Sequence, residues 1–153
     1  MDVHTLVSLL GDRAGIPLSL SEAGTLALQF ENDVILNLEH AASEDALHLY
    51  VIVGEDPYDD EERLALYGDM LEANLFCHDT GGGSLGLDDA TGEILLTRRV
   101  ELAMAHVGHL SEAIETLVAA AIQWKSKIAG AAISDDAIAP AGPSEPLPFT
   151  MRA

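Results

Sequence analysis

The sequence predicts an α+β fold in which three helices accompany a twisted, mainly antiparallel sheet. Apolar residues recur at helical spacing at the start, in the middle and near the end of the chain, and the segments between them alternate as strands do. Short turn sequences separate neighbouring strands, which is typical of hairpins and not of parallel strands joined by crossover helices. The predicted order of elements is α-β-β-β-α-β-β-α.

The first half of the chain is predicted to hold one helix and three strands. The helix is expected over about residues 2–14, because Gly15 and Pro17 end its apolar spacing. Residues 26–30 and 34–38 predict a hairpin, with turn residues at 31–33. A third strand follows at 47–53, and its continuous apolar end indicates burial on both faces.

The second helix, expected over about residues 60–76, is apolar on two sides. One stripe consists of Leu66, Met70 and Ala73, and the other of Leu64, Tyr67, Leu71 and Leu75. A surface helix needs one apolar stripe to pack on its own sheet. The stripe from Leu64 to Leu75 is therefore expected to contact a second copy of the chain.

The remaining elements are a second hairpin, built from about residues 85–87 and 94–100, and a last helix with apolar residues from Leu110 to Ile128. From residue 130 onward the pattern ends, and four of the six prolines lie among small and polar residues. We expect one domain over residues 1–129 and a disordered Ala/Pro-rich tail over residues 130–153.

The charge balance restricts the partners of this chain. Seven Lys and Arg residues against 26 Asp and Glu residues give a net charge of −19. Such a surface repels phosphate groups, so nucleic-acid binding and membrane insertion are not expected. The single cysteine excludes an intramolecular disulfide, and the first residues lack a signal-peptide pattern, so a cytoplasmic location is predicted.

Two glycine motifs overlap between residues 81 and 86. The pattern G-x-G-x-x-G is typical of dinucleotide binding, and G-x-S-x-G would make Ser84 a hydrolase nucleophile. Both motifs require a strand before them and a helix after them, whereas here a helix precedes and a strand follows. We therefore predict no catalytic residue and no cofactor.

Metal binding is also not expected. His106 and His109 are close enough to share a helix face, and Cys77 and His78 are further candidate ligands, but no paired zinc motif is present. The acidic run at residues 55–62 lacks the glycine and ligand spacing of a calcium loop, and a solvated helix cap explains it better.

Three segments in order resemble the class I type III secretion chaperones, the Tir-chaperone-like family. They are LEANLF at residues 71–76, TGGGSLGLD at residues 80–88 and TGEILLTRR at residues 91–99. The first helix, the length and the acidity agree with the resemblance, which covers about residues 2–129.

The resemblance implies a bacterial homodimer without enzymatic activity that binds the N-terminal region of a secreted effector in extended form. It implies that the second helix forms the dimer and that apolar strand residues bind the effector, and the same residues can instead belong to the core. The candidate effector-binding residues are Leu26, Leu28, Phe30, Leu36 and Leu38.

Two other functions are compatible with the sequence. An acidic adaptor, or an immunity-like inhibitor of a basic protein, would use the net charge, and high salt would abolish its binding. A small enzyme using Ser84 or the two histidines ranks behind it.

Overall fold

The computed structural model describes residues 1–131, which fold into three helices and one five-stranded sheet. The element order and the α+β class agree with the prediction. Residues 130 and 131 still belong to the last helix, and the rest of the predicted tail lies outside the described residues. The elements are α1 (Val3–Ala14), β1 (Thr25–Gln29), β2 (Ile35–Ala41), β3 (Ala46–Glu55), α2 (Asp60–Asn74), β4 (Ser84–Asp88), β5 (Glu93–Glu101) and α3 (Val107–Ala131).

The sheet has the strand order β1-β2-β3-β5-β4, and every neighbouring pair is antiparallel. The β2–β3 ladder ends at the pair Asn37 and Tyr50. From Val51 to Glu55, β5 is therefore the only strand partner of β3 among the described residues, and a register shift between Ile52 and Gly54 bends this end.

Acidic side chains cap the N-termini of α1 and α2. The Asp2 carboxylate accepts hydrogen bonds from the backbone N–H and the hydroxyl of Thr5, and these bonds lower the pKa of Asp2. The Asp59 carboxylate accepts from the backbone N–H groups of Glu61 and Glu62 at the start of α2. The acidic run thus caps α2, as predicted.

One contiguous core joins one face of the sheet to buried side chains of all three helices. Alternate residues of the central strand β3, from Leu47 to Val53, lie in this core, whereas His48, Tyr50 and Ile52 between them are half-buried or exposed. The opposite face of the sheet is therefore uncovered by the described residues, and the expectation that the end of β3 is buried on both faces is wrong. None of the helices within residues 1–131 has the length and apolar content needed to cross a bilayer.

The glycine-rich segment before β4 is explained by close packing. A Cβ atom at Gly81 would lie 2.3 Å from the carbonyl oxygen of Thr116 on α3, and one at Gly83 would lie 2.2 Å from that of Thr97 on β5. The Arg98 guanidinium donates to the Gly81 carbonyl oxygen at 2.8 Å and fixes the segment there. These glycines allow backbone contact, and no helix N-terminus follows them.

Candidate functional site

Helix α2 presents an exposed apolar stripe to solvent. Leu64, Leu71 and Leu75 are 76%, 73% and 58% exposed, whereas the opposite side of the helix is buried in the core through Leu66 and Met70. The two-sided pattern that the sequence indicates is therefore present. Its assignment to a contact between two copies stays a prediction.

Tyr67, the fourth predicted interface residue, is half-buried and bonded within its own chain. Its hydroxyl donates to the Asp56 carboxylate at 2.6 Å, and this bond, with partial burial, raises the pKa of Tyr67. The Tyr67 ring lines a groove of about 270 Å³ between α2 and β4, together with Leu71 and Leu87.

An exposed phenylalanine, which no sequence motif indicated, follows the end of α2. Phe76 is 88% exposed and has φ of 55°, a left-handed conformation that is unusual for this residue type. We name the exposed surface formed by this part of the chain the α2 surface. Its members are Leu64, Leu71, Leu75, Phe76 and Leu87.

Four of the five candidate effector-binding residues need correction, because their side chains are in the core. Leu26 is half-buried and packs against this core. The strands alternate as predicted, but the face that carries these residues shares one core with buried side chains of α1 and α3. Contact with a partner would require opening the core. The four buried residues are Leu28, Phe30, Leu36 and Leu38.

The uncovered face of the sheet carries other apolar residues. Ile35 on β2 and Ile52 on β3 are 51% and 40% exposed, and Tyr50 and Leu95 are half-buried. Ile52 pairs with Leu95 across the β3–β5 ladder. The strand alternation in the sequence was enough to identify them, because Ile35 and Ile52 alternate with the buried leucines and valines and therefore lie on the other face of the sheet. We name these four residues the open sheet face.

The motifs that resemble catalytic or metal sites do not assemble into one. The G-x-S-x-G segment leads from the end of α2 into strand β4, so Ser84 lies on a strand and not on a nucleophile elbow. The His106 ring nitrogen Nδ1 accepts from the backbone N–H of His109, which is a helix-capping role. Within residues 1–131, no three metal-ligating side chains come together.

A small domain with exposed apolar surfaces and a half-uncovered sheet is suited to binding other polypeptides. The sequence matches the Tir chaperone protein (CesT) family over residues 5–125. The chain therefore belongs to this family, and the resemblance noted in the sequence is confirmed. No curated protein matches the chain by sequence.

Solved structures share this fold. A chain of the ExsC–ExsE complex is similar with a TM-score of 0.68 and 22% identity, over 84% of this chain and 97% of that one. A chain of the HopA1–SchA chaperone–effector complex is similar with a TM-score of 0.66 and 21% identity, over 80% and 91%. The complex of the Yersinia pestis type III secretion chaperone SycH with a YscM2 fragment contains a similar chain, with a TM-score of 0.62 and 20% identity, over 79% and 98%.

Proposed function

We propose that this protein is a type III secretion chaperone of the bacterial cytoplasm. It binds the N-terminal region of a cognate effector in extended form and keeps that effector competent for secretion. The observation that carries the proposal is the exposed apolar surface in a chain that belongs to a chaperone family. The relatives of known structure include chaperones bound to effectors or other protein fragments.

The open sheet face supports the binding of an extended segment. Ile35, Ile52 and Leu95 form an apolar patch on which alternate side chains of a peptide can rest. Strand β1 is at the end of the sheet, so one of its edges has no strand partner within residues 1–131. Such an edge can accept a peptide as an added strand, and its backbone hydrogen bonds do not depend on side-chain identity.

The α2 surface supports a homodimer. Gly68 lies between Leu64 and Leu71 on the exposed side of the helix, and a Cβ atom there would meet nothing within 4 Å. Its own chain gives no reason for a helix-weakening glycine, whereas a partner helix could approach closely at this point. The high net charge keeps a dimer with exposed apolar surfaces soluble.

No enzymatic activity belongs to this proposal. The glycine segment has a packing role, and His106 caps a helix, so neither motif is left for chemistry. The acidic inhibitor remains the second candidate, because the net charge of −19 favours a basic partner. Binding by charge alone would be lost in high salt, whereas binding through apolar contacts and added strands persists.

Deleting the gene in its bacterial host tests the proposal. We expect one or a few secreted proteins to disappear from the culture medium while other secreted proteins are unchanged. The purified chain should bind the N-terminal segment of each missing protein and should not bind a version that lacks this segment. Unchanged secretion, or binding only to a folded downstream domain, would contradict the proposal.

A further inference from the structure

A cleft of about 570 Å³ lies between the end of β3, the start of α2 and the end of α3. Its floor is apolar, because Val53, Leu66 and Ile128 are buried at its base. The close approach of α3 to β3 depends on Gly54, since a Cβ atom there would lie 2.5 Å from Ile128 Cγ2. We name this space the β3–α3 cleft.

Strand β3 forms one wall of the cleft, and its backbone there can pair with an added strand. Val53, Gly54 and Glu55 line the cleft, and they belong to the end of β3 whose only strand partner among the described residues is β5. An extended peptide can therefore align beside β3 and place one side chain on the apolar floor.

The rim of the cleft is negatively charged. The negative charge of Asp56 is compensated, because its carboxylate lies 3.2 Å from the guanidinium of Arg63 and accepts a hydrogen bond from the Tyr67 hydroxyl. Glu55 and Glu62 take part in no ion pair within residues 1–131. Lys125 lies at the β2 end of the cleft, where its ammonium donates to the Asp33 carbonyl oxygen at 2.6 Å.

Charge distinguishes between the possible occupants. Ala129, near the end of the described residues, lines the cleft, but residues 132–153 contain three acidic residues and one basic residue, a net charge of 1 − 3 = −2. A second copy brings a further −19. Both are repelled by an acidic rim, whereas a basic segment is attracted.

We propose that the β3–α3 cleft is a docking site for a client segment that carries an apolar side chain flanked by lysine or arginine residues. The site rests on the proposed chaperone function and specifies the chemistry of the client that it accepts. The apolar side chain fills the floor, and the basic residues face Glu55 and Glu62 on the rim.

The test uses the full chain, labelled with nitrogen-15, and a short synthetic peptide in which each leucine is flanked by arginines. The amide signals that shift on binding should be those of residues 53–59 and 128–129. A matched peptide with glutamate in place of arginine should not bind. Shifts spread over all acidic parts of the surface, or equal binding of the two peptides, would overturn the proposal.

The double variant Glu55→Gln, Glu62→Gln removes the rim charges without changing shape and leaves the Asp59 cap of α2 intact. Its Kd for the basic peptide should rise about three- to tenfold, as expected when two exposed charge pairs are lost. The control Glu22→Gln, Glu112→Gln changes the net charge equally at exposed positions away from the cleft and should leave the Kd unchanged. An equal rise in the control would reduce the effect to net charge and overturn the proposal.

Filling the cleft tests the apolar contact separately. Ala129→Trp should abolish peptide binding, whereas Ala119→Trp, at another exposed alanine of α3, should not. Tighter peptide binding after truncation at residue 131 would identify the chain's own end as the occupant. A lower molecular mass of Ala129→Trp in light scattering would identify a second copy. Either result would overturn the proposal.

Failure of the cleft and failure of the chaperone function are distinguishable. If the client still binds and is still secreted with the cleft variants, but not with a variant of the open sheet face, the docking site is wrong and the chaperone function stands. If no secreted protein depends on the gene, the chaperone function is wrong, whatever the peptide does.

Discussion

At the scale of single residues, substitutions at two glycines of the same segment are expected to differ in their effect on stability. A Cβ atom at Gly83 would lie 2.2 Å from a backbone oxygen, whereas one at Gly86 would meet nothing within 4 Å. Gly83→Ala should therefore destabilise the fold by about 2 kcal/mol, as overpacking does. Gly86→Ala should change stability by about 0.5 kcal/mol or less. Thermal unfolding measures both, and equal melting temperatures would contradict the packing role of Gly83.

Phe30 and Ile52 separate the core from the open sheet face. Phe30 is 6% exposed, so Phe30→Glu buries an uncompensated charge and should cost about 3 kcal/mol or more. Ile52 is 40% exposed, so Ile52→Glu should keep the melting temperature and weaken client binding. Ser84→Ala should change neither quantity. Loss of function in Ser84→Ala with intact binding in Ile52→Glu would favour an enzyme.

At the scale of elements, α2 carries the prediction of a dimer. Leu71→Glu places a charge in the middle of the α2 surface and should shift the assembly to single chains, because burying that charge costs on the order of 3 kcal/mol. Ala119→Glu, at an exposed position of α3, should leave the assembly unchanged. Light scattering measures the mass, and a single-chain mass for the unmodified protein at micromolar concentration would contradict the dimer.

The elements themselves are largely predictable from the sequence, because each follows from local periodicity and turn chemistry. The sequence predicts strand β3 at residues 47–53, and it spans Ala46–Glu55. It predicts α2 at residues 60–76, and this helix spans Asp60–Asn74. The faces are harder to predict. Both faces of β2 and β3 carry apolar residues, and only the packing of a common core on one face of the sheet leaves Leu36 buried and Ile35 exposed.

At the scale of the whole molecule, the tail beyond the domain is expected to contribute little to stability. Truncation after Gly130 should leave the melting temperature within error, because a segment rich in proline and small residues buries little apolar surface. Calorimetry measures this. A clear decrease would indicate that Ile133, Leu147 or Phe149 packs against the domain.

The proposed function requires that the protein holds a client's N-terminal region as an extended chain. Titration calorimetry at several temperatures, with the purified segment of a protein whose secretion depends on the gene, tests this requirement. We expect a strongly negative heat capacity of binding, since about 1,000 Å² or more of surface leaves water when a segment orders on its partner. A heat capacity near zero, with a client that is already folded and protease-resistant before binding, would contradict it.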